Sequence, residues 1–471
     1  RNVLTPVAFD VGGTGNSATG KPLYVELGGG GDITGTSGAD VLQSDAGTVV
    51  FHHTAGGDAL IGSSTAVDTA TGYSASATLA YSDDHWTVTD NGSTDTLSGV
   101  DKVVIGGQTY DLVDHFTAGI GGFQTIQDAV NHASAGDIIE IAAGTYSENV
   151  VVSTNNLTLV GQGDATIIKG TFKSDNGIAD GGVQAFLTAG NAYSQGAGAA
   201  VTLSGTGDTV QNLKIDSFTY GVSLNDGANN STISGVDVTD SLVGVYKSTT
   251  AGVDGLTIAN SSFTDGRNGI EILKTTTSGA QAVGNANHVL IQNDTFSHLV
   301  IKGIYAETLS NSTIDHVTMN DVGQFGAPST SAATVGQGGN GIDLNLKNGA
   351  YADDVIQNFT LTNVGSATGG SALGDKNGGA IVVEARNDGS YASVPASYTG
   401  VVTIQNGTIN GTSTGIQQGE PGKANTGPAT SISNVVITNA LQNGVDSGNA
   451  AHGGHGDVAN VSGATMTIVL P

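Results

Sequence analysis

The stretch "TVQNLKI", Thr209 to Ile215, decides the fold because its pattern keeps returning. Aligned on its Thr/Val-Ile-x-Asn core stand "TISGVDV" (232–238), "TIANSSF" (257–263), "LIQNDTF" (290–296), "TIDHVTM" (313–319), "VIQNFTL" (355–361), "TIQNGTI" (403–409) and "SISNVVI" (431–437). The fourth position reads Asn212, Gly235, Asn260, Asn293, His316, Asn358, Asn406 and Asn434, and an earlier "NNLTL" adds Asn156. The spacings are 23, 25, 33, 23, 42, 48 and 28 residues, so the bare repeat is 23 and the excess is loop. Such a period with insertions is the mark of a solenoid. Stacked asparagines at one turn are expected to form an amide ladder that satisfies otherwise buried polar groups.

A second strand follows each core: "GVSLN", "GVYKS", "GIEIL", "GIYAE", "GIDLN", "AIVVE", "GIQQG" and "GVDSG". Period-two alternation sends Ile270, Ile304, Ile342 and Ile381 inward and their successors outward. Coils of this kind stack strand on strand and leave only the ends unpaired. The chain is therefore predicted to be all-β, a right-handed parallel β-helix over 116–471 behind a small β-roll-like domain over 1–115. Upstream, "TIQDAVNHA" sets Ile126, Ala129, Val130 and Ala133 on one face of a capping helix at about 125–134, and "DIIEIAAGTYSENVVV" reads as the first coil.

Composition agrees. Of 471 residues 73 are Gly, and Ile, Val and Leu recur at short intervals, which excludes a disordered chain. The formal charge of −28 repels nucleic acid and anionic membranes; it suits divalent cations, Ca²⁺ above all, or simply keeps a secreted protein soluble. Cysteine is absent, so disulfides and thiolate metal sites are excluded. No apolar run approaches the roughly 18 residues of a membrane span. The opening "RNVLTPVAFD" is neither a signal peptide nor an initiator start and reads as processed or cut from a longer chain.

Residues 35–61 fall into nines: "GTSGADVLQ", "SDAGTVVFH" and "HTAGGDALI". Gly38, Gly47 and Gly56 share one place, Leu42, Phe51 and Leu60 another, and Asp40 and Asp58 a third, where the middle repeat has Val49. These repeats resemble the calcium-binding nonapeptides of RTX proteins. The resemblance implies a β-roll in which Asp40 and Asp58, 18 residues apart, help hold one Ca²⁺; a metal-free turn-rich segment is the other reading. Residues after it, to about 113, read as alternating strands with Trp86 in packing.

"FQTIQDAV", "AGDIIEIAAGTYSENV" and "LTLVGQG" resemble the start of the pectin methylesterases, in the pectin-lyase-like superfamily. That resemblance implies a β-helix and an acidic polysaccharide. The esterase motifs that carry its two catalytic aspartates and its arginine are absent, as is the DPHE-like motif of alginate epimerases, so no catalytic residue is carried over.

The outward face supplies its own candidates. Successive coils present Ser223, Tyr246, Glu271, Tyr305, Asp343, Val382, Gln417 and Asp446, then two residues on Asn225, Ser248, Leu273, Glu307, Asn345 and Glu384. Glu271, Glu307, Asp343 and Glu384 are expected on one exposed strip, raising each other's pKa or recruiting a cation. Tyr246 and Tyr305 lie beside them, with Lys274, Lys302 and Arg386 as substrate contacts or as the base of a lyase. Insertions at 275–287, 323–340, 364–379 and 386–400 wall in the same region. Two functions are expected: a secreted, calcium-stabilised surface or matrix protein of structural, assembly or adhesive role, exported without an N-terminal signal; or a lyase, epimerase or hydrolase on an acidic extracellular polysaccharide. A non-catalytic glycan-binding module uses the same strip. The partners are accordingly extracellular polysaccharide or other copies of the chain.

Overall fold

A computed structural model of the chain describes residues 7–9, 24–27, 29–114, 122–172, 198–274, 284–323, 339–365, 379–387, 389–412, 414–419, 428–440, 445–446 and 466–469. The insertions at 275–283, 324–338 and 366–378 lie outside them, as does the stretch "HGGHG", whose His452 and His455 are the two closely spaced histidines near the end of the sequence. Two compact units emerge, 1–148 with 154–167, and 149–153 with 168–471.

In the first unit, strands 18 residues apart pair in parallel. Gly31–Thr34 lies against Val49–His52, and Val41–Ser44 against Ala59–Ile61. Leu42, Phe51 and Leu60 fill the interior between these half-coils, as their shared place in the nines requires. A hairpin, His85–Asp90 with Ser93–Ser98, interrupts the series, and its second strand resumes parallel pairing on Ala59–Ile61. Trp86 is buried against Tyr81.

The helix runs Ile126–His132, with Ile126, Ala129 and Val130 buried. Thr125 caps it: its hydroxyl accepts from the Asp128 N–H at 3.1 Å. Glu148, of "GTYSEN", takes the two remaining first-turn N–H groups, from Ile126 and Gln127, at 2.9 Å each. A carboxylate there also meets the positive end of the helix dipole. His132 is exposed and spends its Nδ1 on the Asp128 carbonyl.

The second unit is built on a parallel sheet running from Val150–Val152 to Val445–Asp446. Its register sets Ile270, Ile304, Ile342, Ile381 and Ile416 in one inward column, all fully buried. The preceding glycines are forced by what lies beneath. A Cβ on Gly244 would stand 2.3 Å from the Phe263 ring, and one on Gly269 2.5 Å from Phe296. Those two rings stack at 5.1 Å.

The asparagine column does something other than expected. Asn156, Asn212, Asn260, Asn293, Asn358, Asn406 and Asn434 all have φ between 53° and 59°. Gly235 and His316 in the same column do too, at 62° and 50°. Asn212, Asn260, Asn293 and Asn406 are exposed, so no buried amide ladder is needed. Asparagine recurs because its short polar side chain tolerates the left-handed corner where the chain turns between strands. Amide contacts between rungs are occasional: Asn293 to Asn260 at 3.3 Å and Asn434 to Asn406 at 3.1 Å.

Candidate active site on the outward face of the second unit

The register brings Tyr246, Glu271, Tyr305, Asp343, Val382 and Gln417 into one outward column. Asn268, Lys302 and Asn340 form a column beside it, and Asn345 and Glu384 pair directly two residues on. Rungs about 4.8 Å apart let long side chains meet across coils.

They meet as ion pairs and hydrogen bonds, not as a strip of bare acids. Lys302 Nζ bonds Asp343 Oδ2, which also accepts from Asn340 Nδ2 at 2.8 Å. The same ammonium stands 3.8 Å from the centre of the Tyr305 ring. Tyr305 donates its hydroxyl proton to Glu307 Oε1 at 2.9 Å and accepts from Lys347 Nζ at 2.9 Å. Lys347 also bonds Glu307 directly, and the Lys274 N–H reaches the other Glu307 oxygen at 3.2 Å. Glu271 accepts from Asn268, with Arg267 at 3.8 Å. Asn345 donates to Glu384. Tyr246 stacks on Tyr220 at 4.1 Å.

This corrects the expectation of an exposed acidic strip. Glu271, Asp343 and Glu384 are all less than 7% exposed, and Glu307 is half-buried. Desolvated carboxylates persist only with partners, and the cations and amides supply them. Nor do the acids simply raise one another. Burial pushes Glu307 up, but the Lys347 ammonium and the bonds from Lys347, Tyr305 and the Lys274 N–H outweigh it and hold it below the usual value. Burial drives Tyr305 well above 10, helped by the charges of Glu307 and Asp343, so the phenol keeps its proton. Lys274 is lowered, first by burial and then by the charge of Lys347 against the opposing pull of Glu307. Three buried acceptors, Asn268 Oδ1, Asp343 Oδ1 and Asn345 Oδ1, have no hydrogen-bond donor.

Asn268, Asn340 and Lys347 were missed from sequence. Lys347 was within reach of the same alternation: positions 343, 345 and 347, like 382, 384 and 386, share one face.

In the first unit Asp40 and Asp58 are brought together, both buried. The Asp40 N–H donates to Asp58 Oδ1 at 2.8 Å, and the Asp58 N–H to Asp95 Oδ1 at 2.8 Å. Thr36 and Thr54 hydroxyls bond the remaining oxygens, at 2.9 Å to Asp40 and 3.0 Å to Asp58. Burial raises Asp58, with Asp95 and Asp40 adding. Carboxyls that face N–H and O–H donors are committed to the backbone turn, and among the described residues no group of three or more His, Asp or Glu side chains is placed to hold a metal ion. Asp95 was missed because the hairpin breaks the nine-residue grid, although "DVL", "DAL" and "DTL" at 40, 58 and 95 share a signature.

Residues 199–364 match the family described as right handed beta helix region. No curated protein matches the chain significantly in sequence. Similar solved structures include an alginate lyase from Paenibacillus sp. str. FPU-7, at 13% identity over 66% of this chain and 84% of that one, TM-score 0.39. A pectin methylesterase from Aspergillus niger shares 15% identity over 61% and 82%, TM-score 0.32. ORF18 of Geobacillus virus E2 shares 12% over 86% and 70%, TM-score 0.36. Among the described residues no helix is long and apolar enough to cross a membrane. The matched segment and the rung-by-rung register agree that the second unit is built as a right-handed parallel β-helix.

Proposed function

We propose that the second unit is a carbohydrate-active enzyme on an acidic extracellular polysaccharide, working by β-elimination at a uronate residue. The observation that carries this reading is that Tyr305 and Lys347 bond Glu307 through their side chains and Lys274 through its backbone N–H, which sets a lysine beside an acid and a proton path. Elimination needs a base for the C5 proton, and burial lowers Lys274, a shift in the direction that favours such a role. As that proton moves to Nζ, the electron pair forms the C4–C5 double bond and the C4–O bond breaks. The leaving oxygen takes a proton supplied along Tyr305, Glu307 and Lys347. Tyr305 is protonated in the resting site because its surroundings oppose phenolate, so a proton that it gives to the leaving oxygen has to be replaced from Lys347, which bonds its hydroxyl.

A structural or adhesive role asks for none of this. Burying Lys302 and Asp343 costs several kcal/mol per ion before their attraction offsets it. A scaffold gains more from apolar side chains there.

The test is absorbance near 235 nm during incubation with a panel of uronate polysaccharides, for the native chain, Lys274→Met and Glu307→Gln. A rise with one polymer that falls at least a hundredfold in both variants supports the reading. A flat trace with every polymer sinks β-elimination.

A further inference from the structure

Lys247 points into the solenoid. It belongs to the strand Val243–Ser248, pairs in register with Leu224 and Ile272, and is fully buried. Its Nζ donates to the Leu273 carbonyl at 3.3 Å and to the Gly284 carbonyl, and Thr308 Oγ1 stands 3.5 Å away. The carboxylates that act on it, Asp226 and Glu307, do so through space. A buried cation held by carbonyls is destabilising against an apolar side chain of the same length, which would fill this column without desolvating a charge.

What the ammonium holds is one end of a peptide unit whose other end serves the outward site. The carbonyl of Leu273 and the N–H of Lys274 share that unit. The carbonyl accepts from Lys247 inside the coil, and the N–H donates to Glu307 Oε2 at 3.2 Å. A planar trans peptide sends its C=O and N–H in opposite directions, so fixing one end aims the other. Thr308 follows Glu307 directly, and the Glu307 N–H bonds the Ile272 carbonyl at 2.8 Å. From within, Lys247 therefore touches both segments that meet at Glu307. The stretch between Lys274 and Gly284, 275–283, holds no ionisable side chain.

The charge on Lys247 matters to this arrangement. A hydrogen bond from an ionised donor is roughly twice as strong as a neutral one. It also polarises the peptide, which makes the N–H a better donor to a carboxylate. Burial raises Glu307, and the bonds that nonetheless hold it below its usual value, first from Lys347, include this N–H. Burial brings Lys247 itself down to about 8, against the pull of Asp226 and Glu307. The peptide is thus held by a charged donor at neutral pH and by a neutral one a little above it.

We propose that Lys247 is a positioning residue for the outward site: from inside the solenoid it orients the Leu273–Lys274 peptide, which aims the N–H at Glu307 and fixes the point where the Lys274 side chain leaves the coil. Its effect on turnover rests on the elimination reading above; the aimed peptide stands without it. Lys247 touches no substrate in this role.

The test is amide hydrogen exchange at position 274 in the full chain, corrected for the intrinsic effect of pH on exchange. Native protection is expected to fall about tenfold or more between pH 7 and pH 9.5. Lys274→Met, which removes the neighbouring lowered amine but keeps the N–H, is expected to follow the same curve. Lys247→Met is expected to show the low protection already at pH 7 and no further change at pH 9.5, with the Ile342 amide and the melting temperature as in the native chain. Unchanged protection at 274 in Lys247→Met, or an equal loss at Ile342, overturns the proposal. Should Lys247→Met not fold, the native series decides, and protection that stays level from pH 7 to pH 9.5 overturns it. With a polysaccharide that the native chain cleaves, Lys247→Met lowers kcat about tenfold and leaves KM within about twofold; a change confined to KM overturns the link to the site. If no polymer is cleaved, the elimination reading falls and amide exchange alone decides the aimed peptide.

Discussion

Lys302 and Asp343, 41 residues apart in sequence, form an ion pair at 2.5 Å with both side chains less than 5% exposed. Removing one partner strands the other charge. Asp343→Ala is expected to cost about 3–5 kcal/mol in urea unfolding, whereas Lys302→Met with Asp343→Leu recovers most of it. If the single substitution costs no more than the double, the pair does not hold the rung.

The left-handed corner gives a cleaner test of backbone conformation. Asn212 has φ 55° and is exposed. Asn212→Gly is expected to change stability by no more than a few tenths of a kcal/mol, and Asn212→Val to cost about 1–3 kcal/mol. Equal losses in the two would mean that the side chain, not φ, selects asparagine.

Gly269 tests packing from the other side. Gly269→Ala drives a methyl into Phe296 and is expected to cost about 1–3 kcal/mol. Combined with Phe296→Leu, part of that loss returns in a double-mutant cycle. Strict additivity would leave the clash to the Gly303 carbonyl oxygen, 2.6 Å from the added Cβ, and remove the share assigned to Phe296.

Asp294 is fully buried, accepts from the Ser261 N–H at 2.8 Å and is pushed up to about 7 by burial. The folded state therefore holds this proton more tightly than the unfolded chain. The stability it contributes is present below pH about 4 and is lost as pH rises toward 7. Asp294→Asn keeps the acceptor and removes the charge. The variant is expected to match the parent near pH 4 and to exceed it at pH 8, with a ceiling on the order of 4 kcal/mol. A pH-independent difference would count against the buried charge.

The aspartate ladder of the first unit predicts indifference to chelation. Its oxygens serve N–H and hydroxyl donors of the next rung. EDTA is expected to leave the melting temperature within about 1 °C, while Asp95→Ala lowers it by about 4–8 °C, as for a loss of 1 kcal/mol or more in a small unit. A fall with EDTA that calcium reverses would restore the calcium-bound reading.

The repeating columns were legible from sequence because each obeys a local rule. Ile270 and Ile304 announce an inward position by alternation, and Asn212 and Asn260 mark a corner by recurrence. What stayed hidden depends on neighbours one coil away. Nothing local says that Lys302 reaches Asp343, or that Glu271 is buried, since both follow from pairing across 34 to 41 residues. Lys247 shows the same limit. It lies in register with Leu224 and Ile272, is fully buried and bonds the Leu273 and Gly284 carbonyls, an inward lysine that alternation alone would place with aliphatic residues.

The recurring left-handed corner also makes the second unit a ruler. Every coil turns at the same place, whatever the length of the segment inserted elsewhere in it, so side chains on the outward face repeat at intervals of about 4.8 Å. A polymer lying along that face meets a graduated series of groups. Altering one graduation leaves the spacing of the rest intact, so preference for a sugar pattern can be rewritten one mark at a time.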